Sequence, residues 1–167
     1  MGDVVSTVPA FSQNDYGIYG ELVLAPAHAV VKHPSTLSFE EAVAIWNPFI
    51  TPWGAFAETG LVKPGNAVVI PAASSSVGLG AIQIVNALGA VSIALTRTAA
   101  KRAELLEAGA KHVIVTEEQD VVTETLKLTD GRGAPTGPAS DLRLPNFTGE
   151  VEIVVDNGRT SMIIFDI

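Results

Sequence analysis

The chain has 167 residues, 47% of them hydrophobic and 17% charged, with a formal net charge of −8 at pH 7. Such a composition excludes a disordered chain, and its acidic balance argues against a nucleic-acid partner, because phosphate backbones require a basic face. Cysteine is absent, which excludes disulfides and thiolate metal sites and fits a reducing, cytoplasmic setting.

Residues 4–33 are rich in β-branched side chains, with turn breaks at Pro9, Gly17, Gly20 and Pro26. Within them "ELVLAPAHAVVKHP" alternates in part and predicts two short strands. Ser38 followed by Glu41 forms a capping box, so a helix starts near Phe39. Pro48 and Pro52 punctuate the next stretch, and "WGAFAETGLVKPG" reads as a further helix closing at Gly60. "NAVVIPA" is a continuous apolar run, as expected for a strand covered on both faces.

A serine loop, Ser74 to Ser76, then leads into a helix from Val77 to Leu88 stopped by Gly89. "AVSIALT" is a second buried strand, "AAKRAELLEAG" a helix closed by Gly109, and "KHVIV" a third strand. "EEQDVVTETLKLTDGRG" is a third helix closed by Gly131. Strand and helix alternating in this way imply right-handed crossovers and a parallel sheet over Ala67–Ile70, Val91–Leu95 and His112–Val115. The fold class is therefore α/β, a Rossmann-like parallel sheet with helices on both faces.

Residues 134–150 have three prolines and no periodicity, and read as a linker. Residues 151–167 form two apolar runs around Asp156-Asn157-Gly158, the strongest short hairpin signal, although Val151–Val155 also suits a fourth parallel strand. The apolar stretch from Val68 to Leu95 is broken by Pro71, three serines and Gln83, so it is core and not a membrane span. No signal peptide opens the chain. "MGDVVS" and Asn146-Phe147-Thr148 match lipidation and glycosylation patterns, both short enough to be coincidence.

A loop between a parallel strand and the next helix lies at the carboxyl edge of the sheet, where α/β folds bind ligands. The helix start offers unpaired N–H groups and the positive end of a dipole, both suited to a pyrophosphate. Serine is the smallest polar alternative to the glycine usual there, and its hydroxyl adds a donor. At the end of the second strand an NAD site would place a carboxylate; this chain has Thr96-Arg97-Thr98, with Lys101 close behind. Cations there suit a 2′-phosphate, through charge-assisted hydrogen bonds.

These residues resemble the medium-chain dehydrogenase/reductase superfamily in its quinone oxidoreductase-like, zinc-type alcohol dehydrogenase-like branch. The resemblance is carried by "GIYGELVLAPAHAVVKHP", "LSFEEAVAI", "AASSSVGLGAIQ" and "AELLEAGAKHVIV", and runs from about Gly2 to Gly133. It implies an NADPH-dependent reductase of quinones, enones or related carbonyl compounds. It also implies that Ser74, Ser75, Ser76 and Val77 meet the pyrophosphate, that Thr96, Arg97, Thr98 and Lys101 surround the adenosine phosphate, and that Thr51 lies near the nicotinamide. Residues 1–35 then correspond to the tail of a small β-rich (GroES-like) domain, 36–133 to the dinucleotide-binding domain and 151–167 to a terminal strand or hairpin. Family members are about twice this long, so the resemblance implies a shortened or rearranged member with weak turnover. A short sheet with bare apolar faces implies a homodimer or higher homo-oligomer, with Val151–Ile167 as one route of pairing.

Other chemistry is open to the same letters. Serines, His28, His33, His112 and Asp156 provide the letters of an esterase-like hydrolase. Ser76 has Gly78 two residues on, and either His28 or His33 could reach the loop, whereas His112 leads into a buried strand and the Gly-x-Ser-x-Gly pattern is absent. A remnant that binds nucleotide without turnover is the third alternative. The three histidines lack ligand spacing, and no metal site is expected.

Overall fold

The computed structural model describes residues 2–131, 151–156 and 160–165, the last two segments as backbone alone. The chain divides into two compact units, Met1–Asn47 and Pro48–Ile167.

In the first unit β1 (Val5–Thr7) pairs antiparallel with β2 (Val30–Lys32), in the register Val5↔Lys32. A 3-10 turn, Ala27–Ala29, leads into β2. Only one of the two strands expected in "ELVLAPAHAVVKHP" forms. Leu22, Val23 and Leu24 make no ladder, and Leu22 is 97% exposed. A strand needs a neighbour to satisfy its backbone, and among the described residues β2 pairs with β1 alone.

Helix α1 (Phe39–Trp53) opens on the capping box read from the sequence: the Ser38 N–H donates to Glu41 Oε2 at 2.8 Å, and the Glu41 N–H to Ser38 Oγ at 3.1 Å. The helix then corrects the sequence reading. It continues through Pro48 and Pro52 and widens into a π-type turn, Gly54–Glu58, before Gly60 adopts a φ of +64°. Each proline removes one helical donor. Pro52 in particular leaves the Pro48 carbonyl without its i+4 N–H, and that carbonyl lies against Gly80, where a Cβ would collide with it.

In the second unit β3 (Ala67–Ile70), α2 (Ser76–Ala87), β4 (Val91–Thr96), α3 (Arg102–Glu107), β5 (His112–Val115) and α4 (Val121–Leu128) come one after another. Strands β3, β4 and β5 pair in parallel, with Ala67 opposite Val91 and Ile93 opposite His112. The sheet order is β5-β4-β3-β7-β6; β7 (Thr160–Phe165) runs parallel to β3 and β6 (Val151–Asp156) antiparallel to β7. The Asn157-Gly158 turn and the proline-rich linker lie outside the described residues.

Both faces of the parallel strands are covered, which is why they read as unbroken apolar runs. Val68, Ile70, Ala94 and Val113 pack with Ile82 and Val85 of α2 and Leu105 of α3. Ala67, Val69, Ile93 and Ile114 form a second layer with Val121 of α4. Ile82, Ile93, Leu105 and Ile114 are fully buried, each stabilising the fold by roughly 1.5–3 kcal/mol. A polar tie crosses this core: Ser92 Oγ donates to Asn86 Oδ1 at 2.9 Å, and Asn86 Nδ2 donates to the Gly109 carbonyl at 2.8 Å.

Two helices begin later than the sequence suggested. "AAKRAELLEAG" forms a 3-10 turn, Ala99–Lys101, before α3. The stretch from Glu117 to Asp120 forms a turn, with Gln119 Oε1 accepting the Val115 N–H, and Asp120 caps α4. The glycine stops are as read: Gly89 and Gly109 have φ of +76° and +104°, and the next residues, Ala90 and Ala110, donate back to Val85 and Leu105. Among the described residues no helix is long and apolar enough to cross a membrane.

Candidate functional site

The candidate site lies at the carboxyl edge of the parallel sheet. After β3 the chain turns at Ala72, whose φ of +46° is left-handed and costs about 1–2 kcal/mol for a residue with a Cβ. The buried Ala73 donates its N–H to the Leu95 carbonyl at 3.3 Å, which pins the turn to β4. Gly78 permits this geometry, because a Cβ there would stand 2.6 Å from the Ala72 oxygen. The turn therefore folds directly over the first turn of α2. Gly80, two residues on, lies against the Pro48 carbonyl of α1.

Ser75 is the N-cap of α2, and its Oγ accepts the Gly78 N–H at 3.0 Å. The N–H groups of Ser76 and Val77, at the first two helical positions, have no acceptor among the described residues. These are the orphan donors that every helix start leaves, here at the sheet edge and on the positive end of a twelve-residue helix.

Beside the turn lies an open cleft of about 730 Å³. Of the residues nominated from sequence, Ser74, Thr96, Arg97, Thr98 and Lys101 line it. Thr96 is buried, and its Oγ1 donates to the Thr98 carbonyl at 3.2 Å, which shapes the chain as it leaves β4. Ser75, Ser76 and Val77 stand at the start of α2 and Thr51 in α1, all outside the cleft lining.

The sequence reading missed the carboxylates. Arg97 Nε stands 3.6 Å from Glu117 Oε1, and Lys101 Nζ stands 2.9 Å from Glu104 Oε2. The Lys101–Glu104 pair has helical spacing that could have been read. Glu117 gave no such signal: it reaches Arg97 because Thr96 and Val115 are register partners at the ends of β4 and β5.

Of the hydrolase letters, His112 stands apart from Ser76. His112 opens β5 and so lies at the amino edge of the parallel sheet, opposite the edge where Ser76 begins α2. In the first unit His28 Nε2 contacts the Ala10 carbonyl at 3.3 Å, and His33 Nδ1 bonds Ser6 Oγ at 2.9 Å.

A family model described as zinc-binding dehydrogenase matches residues 76–136. The human quinone oxidoreductase is 31% identical over 165 residues, covering 94% of this chain and 49% of that protein. The crystal structure of Escherichia coli quinone oxidoreductase complexed with NADPH aligns with a TM-score of 0.59 at 35% identity, over 64% of this chain and 32% of that one. The chain belongs to the medium-chain dehydrogenase/reductase superfamily, in its quinone oxidoreductase-like branch.

A similar segment also occurs within a much longer polypeptide. A phenolphthiocerol/phthiocerol polyketide synthase polypeptide of Mycobacterium tuberculosis is 32% identical over 148 residues, covering 86% of this chain and 6% of that protein. The chain thus spans about half the length of the quinone oxidoreductase and a small part of the synthase polypeptide. As for the zinc of the family description, among the described residues no group of three or more His, Cys, Asp or Glu side chains is clustered to hold a metal ion. The described residues do not fit that metal.

Proposed function

We propose that the cleft holds the adenosine half of NADPH, and that the chain serves an NAD(P)-dependent oxidoreductase acting on quinones, enones or related carbonyl compounds. The carrying observation is the joining of two donor sets at one sheet edge: the Ser76 and Val77 N–H groups, which have no acceptor among the described residues, and the cleft lined by Ser74, Thr96, Arg97, Thr98 and Lys101. Orphan N–H groups at a helix start suit a pyrophosphate, and a guanidinium with an ammonium suits a ribose phosphate. The bound cofactor supplies the hydride; this part of the chain supplies anchorage and orientation. Ser75, occupied as a cap, fixes the amides beside it, while Ser74 offers its hydroxyl to the cleft. Thr51 contacts the nicotinamide end in this reading.

The names of the relatives support the substrate class, and the NADPH complex of the Escherichia coli quinone oxidoreductase supports the cofactor. Preference for NADPH over NADH rests on Arg97 and Lys101. Self-association as a homo-oligomer also belongs to this reading, supported by the exposed Tyr19, Leu22 and Leu24.

The test is a paired assay on the purified chain: nucleotide titration by fluorescence, then NADPH oxidation with a quinone and with an enone. Saturable NADPH binding is expected, and oxidation of either acceptor would establish the reductase. A chain that binds neither NADPH nor NADH would remove the reading.

A further inference from the structure

Resting on the nucleotide reading above, we infer that Glu117 is a positioning residue that holds Arg97 away from a ribose phosphate, weakening binding of 2′-phosphorylated nucleotides and leaving their 2′-hydroxyl counterparts untouched. The arrangement is built by the main chain. Register pairs Thr96 with Val115, the Thr116 N–H donates to the Thr96 carbonyl at 2.8 Å, and the Glu117 N–H donates to the Arg97 carbonyl at 3.2 Å. Two successive backbone bonds thus fix where the Glu117 side chain starts relative to that of Arg97. Its carboxylate is an intruder from the end of β5 at a place where the sequence around Arg97 is purely basic.

The contact itself is loose. At 3.6 Å it is an ion pair beyond hydrogen-bond length, and the two side chains are 83% and 59% exposed. Such a pair yields to a better partner. A phosphate dianion arriving on the guanidinium would have to displace the carboxylate or share the cation with it, and the two anions repel. A nucleotide with a 2′-hydroxyl makes no demand on the Arg97 charge. Glu117 therefore acts on one class of ligand only. Exposed pairs of this kind shift affinities by about twofold to fivefold, and salt screens them.

The experiment compares adenosine 2′,5′-bisphosphate with adenosine 5′-monophosphate by calorimetric titration. Both probes fill only the adenosine half of the cleft, so the result is independent of turnover. Glu117→Gln keeps the backbone bond to Arg97 and the side-chain size. It should tighten the bisphosphate about threefold at low ionic strength, less at high salt, with the monophosphate unchanged. The gain should vanish in an Arg97→Ala background, because Glu117 acts through Arg97. Glu124→Gln removes an equal charge from the Lys127 pair on α4 and should change neither affinity.

Unchanged or weakened bisphosphate binding in Glu117→Gln would overturn the inference, as would an equal gain for both nucleotides or one that survives without Arg97. If the unaltered chain binds neither nucleotide, the nucleotide reading itself falls and this inference falls with it. If it binds both and Glu117→Gln changes nothing, only the inference falls.

Discussion

Among the described residues of the first unit the buried hydrophobic side chains are Ala29 and Ala42, whereas β3 alone buries Ala67, Val68, Val69 and Ile70. Phe39, Val43, Tyr19, Leu22 and Leu24 of the first unit stand largely in solvent. The first unit is held by a short two-stranded ladder, the Asp3–Lys32 ion pair at 2.9 Å and the Ser6–His33 bond. Surface ion pairs contribute little, and an isolated hairpin is marginal in water. The second unit carries a two-sided apolar core and, at its edge, the cleft. In the proposed reading, stability and ligand chemistry reside in the same unit.

The widest separation should come from core truncation. Ile82→Ala, in a fully buried position of α2, should destabilise the chain by about 2–5 kcal/mol in urea unfolding. Leu22→Ala, at a 97% exposed position, should stay within about 0.5 kcal/mol. Comparable losses from both would show that the first unit has a core of its own. A finer probe uses glycines. Gly80→Ala sets a methyl against the Pro48 carbonyl and should cost about 1–3 kcal/mol, while Gly17→Ala in the first unit meets nothing within 4 Å and should be neutral. A neutral Gly80→Ala would mean that α1 can give way at its prolines.

This contrast also governs what the sequence disclosed. β3, β4 and β5 were legible to within a residue because burial on both faces writes an unbroken apolar run between glycines and turns. The capping box at Ser38 and the glycine stops were legible because their cause is local. Leu22–Leu24 misled, since alternation records a tendency to pair and not the presence of a partner. α1 misled because proline is read as a break, yet here the continuing helix accommodates the unmade bonds and directs one freed carbonyl at Gly80. In the candidate site, the helix start and the Thr96–Lys101 segment were legible as local chemistry. Glu117 was not, because strand register, not sequence proximity, brings it to Arg97.

If the cleft belongs to the second unit by itself, its ligand affinity should ignore the first. Arg97→Ala should weaken NADPH roughly tenfold, about 1.4 kcal/mol, with NADH nearly unchanged; the figure is at the low end for a phosphate contact because Arg97 is 83% exposed. Leu22→Ala should leave both affinities as they were. Equal losses for the two cofactors in Arg97→Ala would remove the phosphate assignment of Arg97.

The smallest effect is expected at α4, which lends Val121 to one sheet face and has a single charged cap. Asp120 Oδ1 accepts the Thr123 N–H at 2.8 Å. Hydrogen bonds from the Thr123 side chain and backbone hold the Asp120 carboxyl below its usual range, with a slight opposing push from desolvation. A depressed folded value means that the unfolded chain takes up the proton first as pH falls. The stabilisation is therefore complete above the ordinary aspartate range, declines as pH drops through it and is gone below the lowered folded value. Asp120→Asn keeps an equally good cap without the charge, so its stability should lack this acid-side decline. Asp120→Ala lacks the cap at every pH, so its deficit relative to the unaltered chain should be largest at neutral pH and shrink in acid. Melting temperatures of the three proteins across the carboxylate range provide the measurement. A deficit for Asp120→Ala that stays constant down that range would show that Asp120 holds α4 by shape and not by charge.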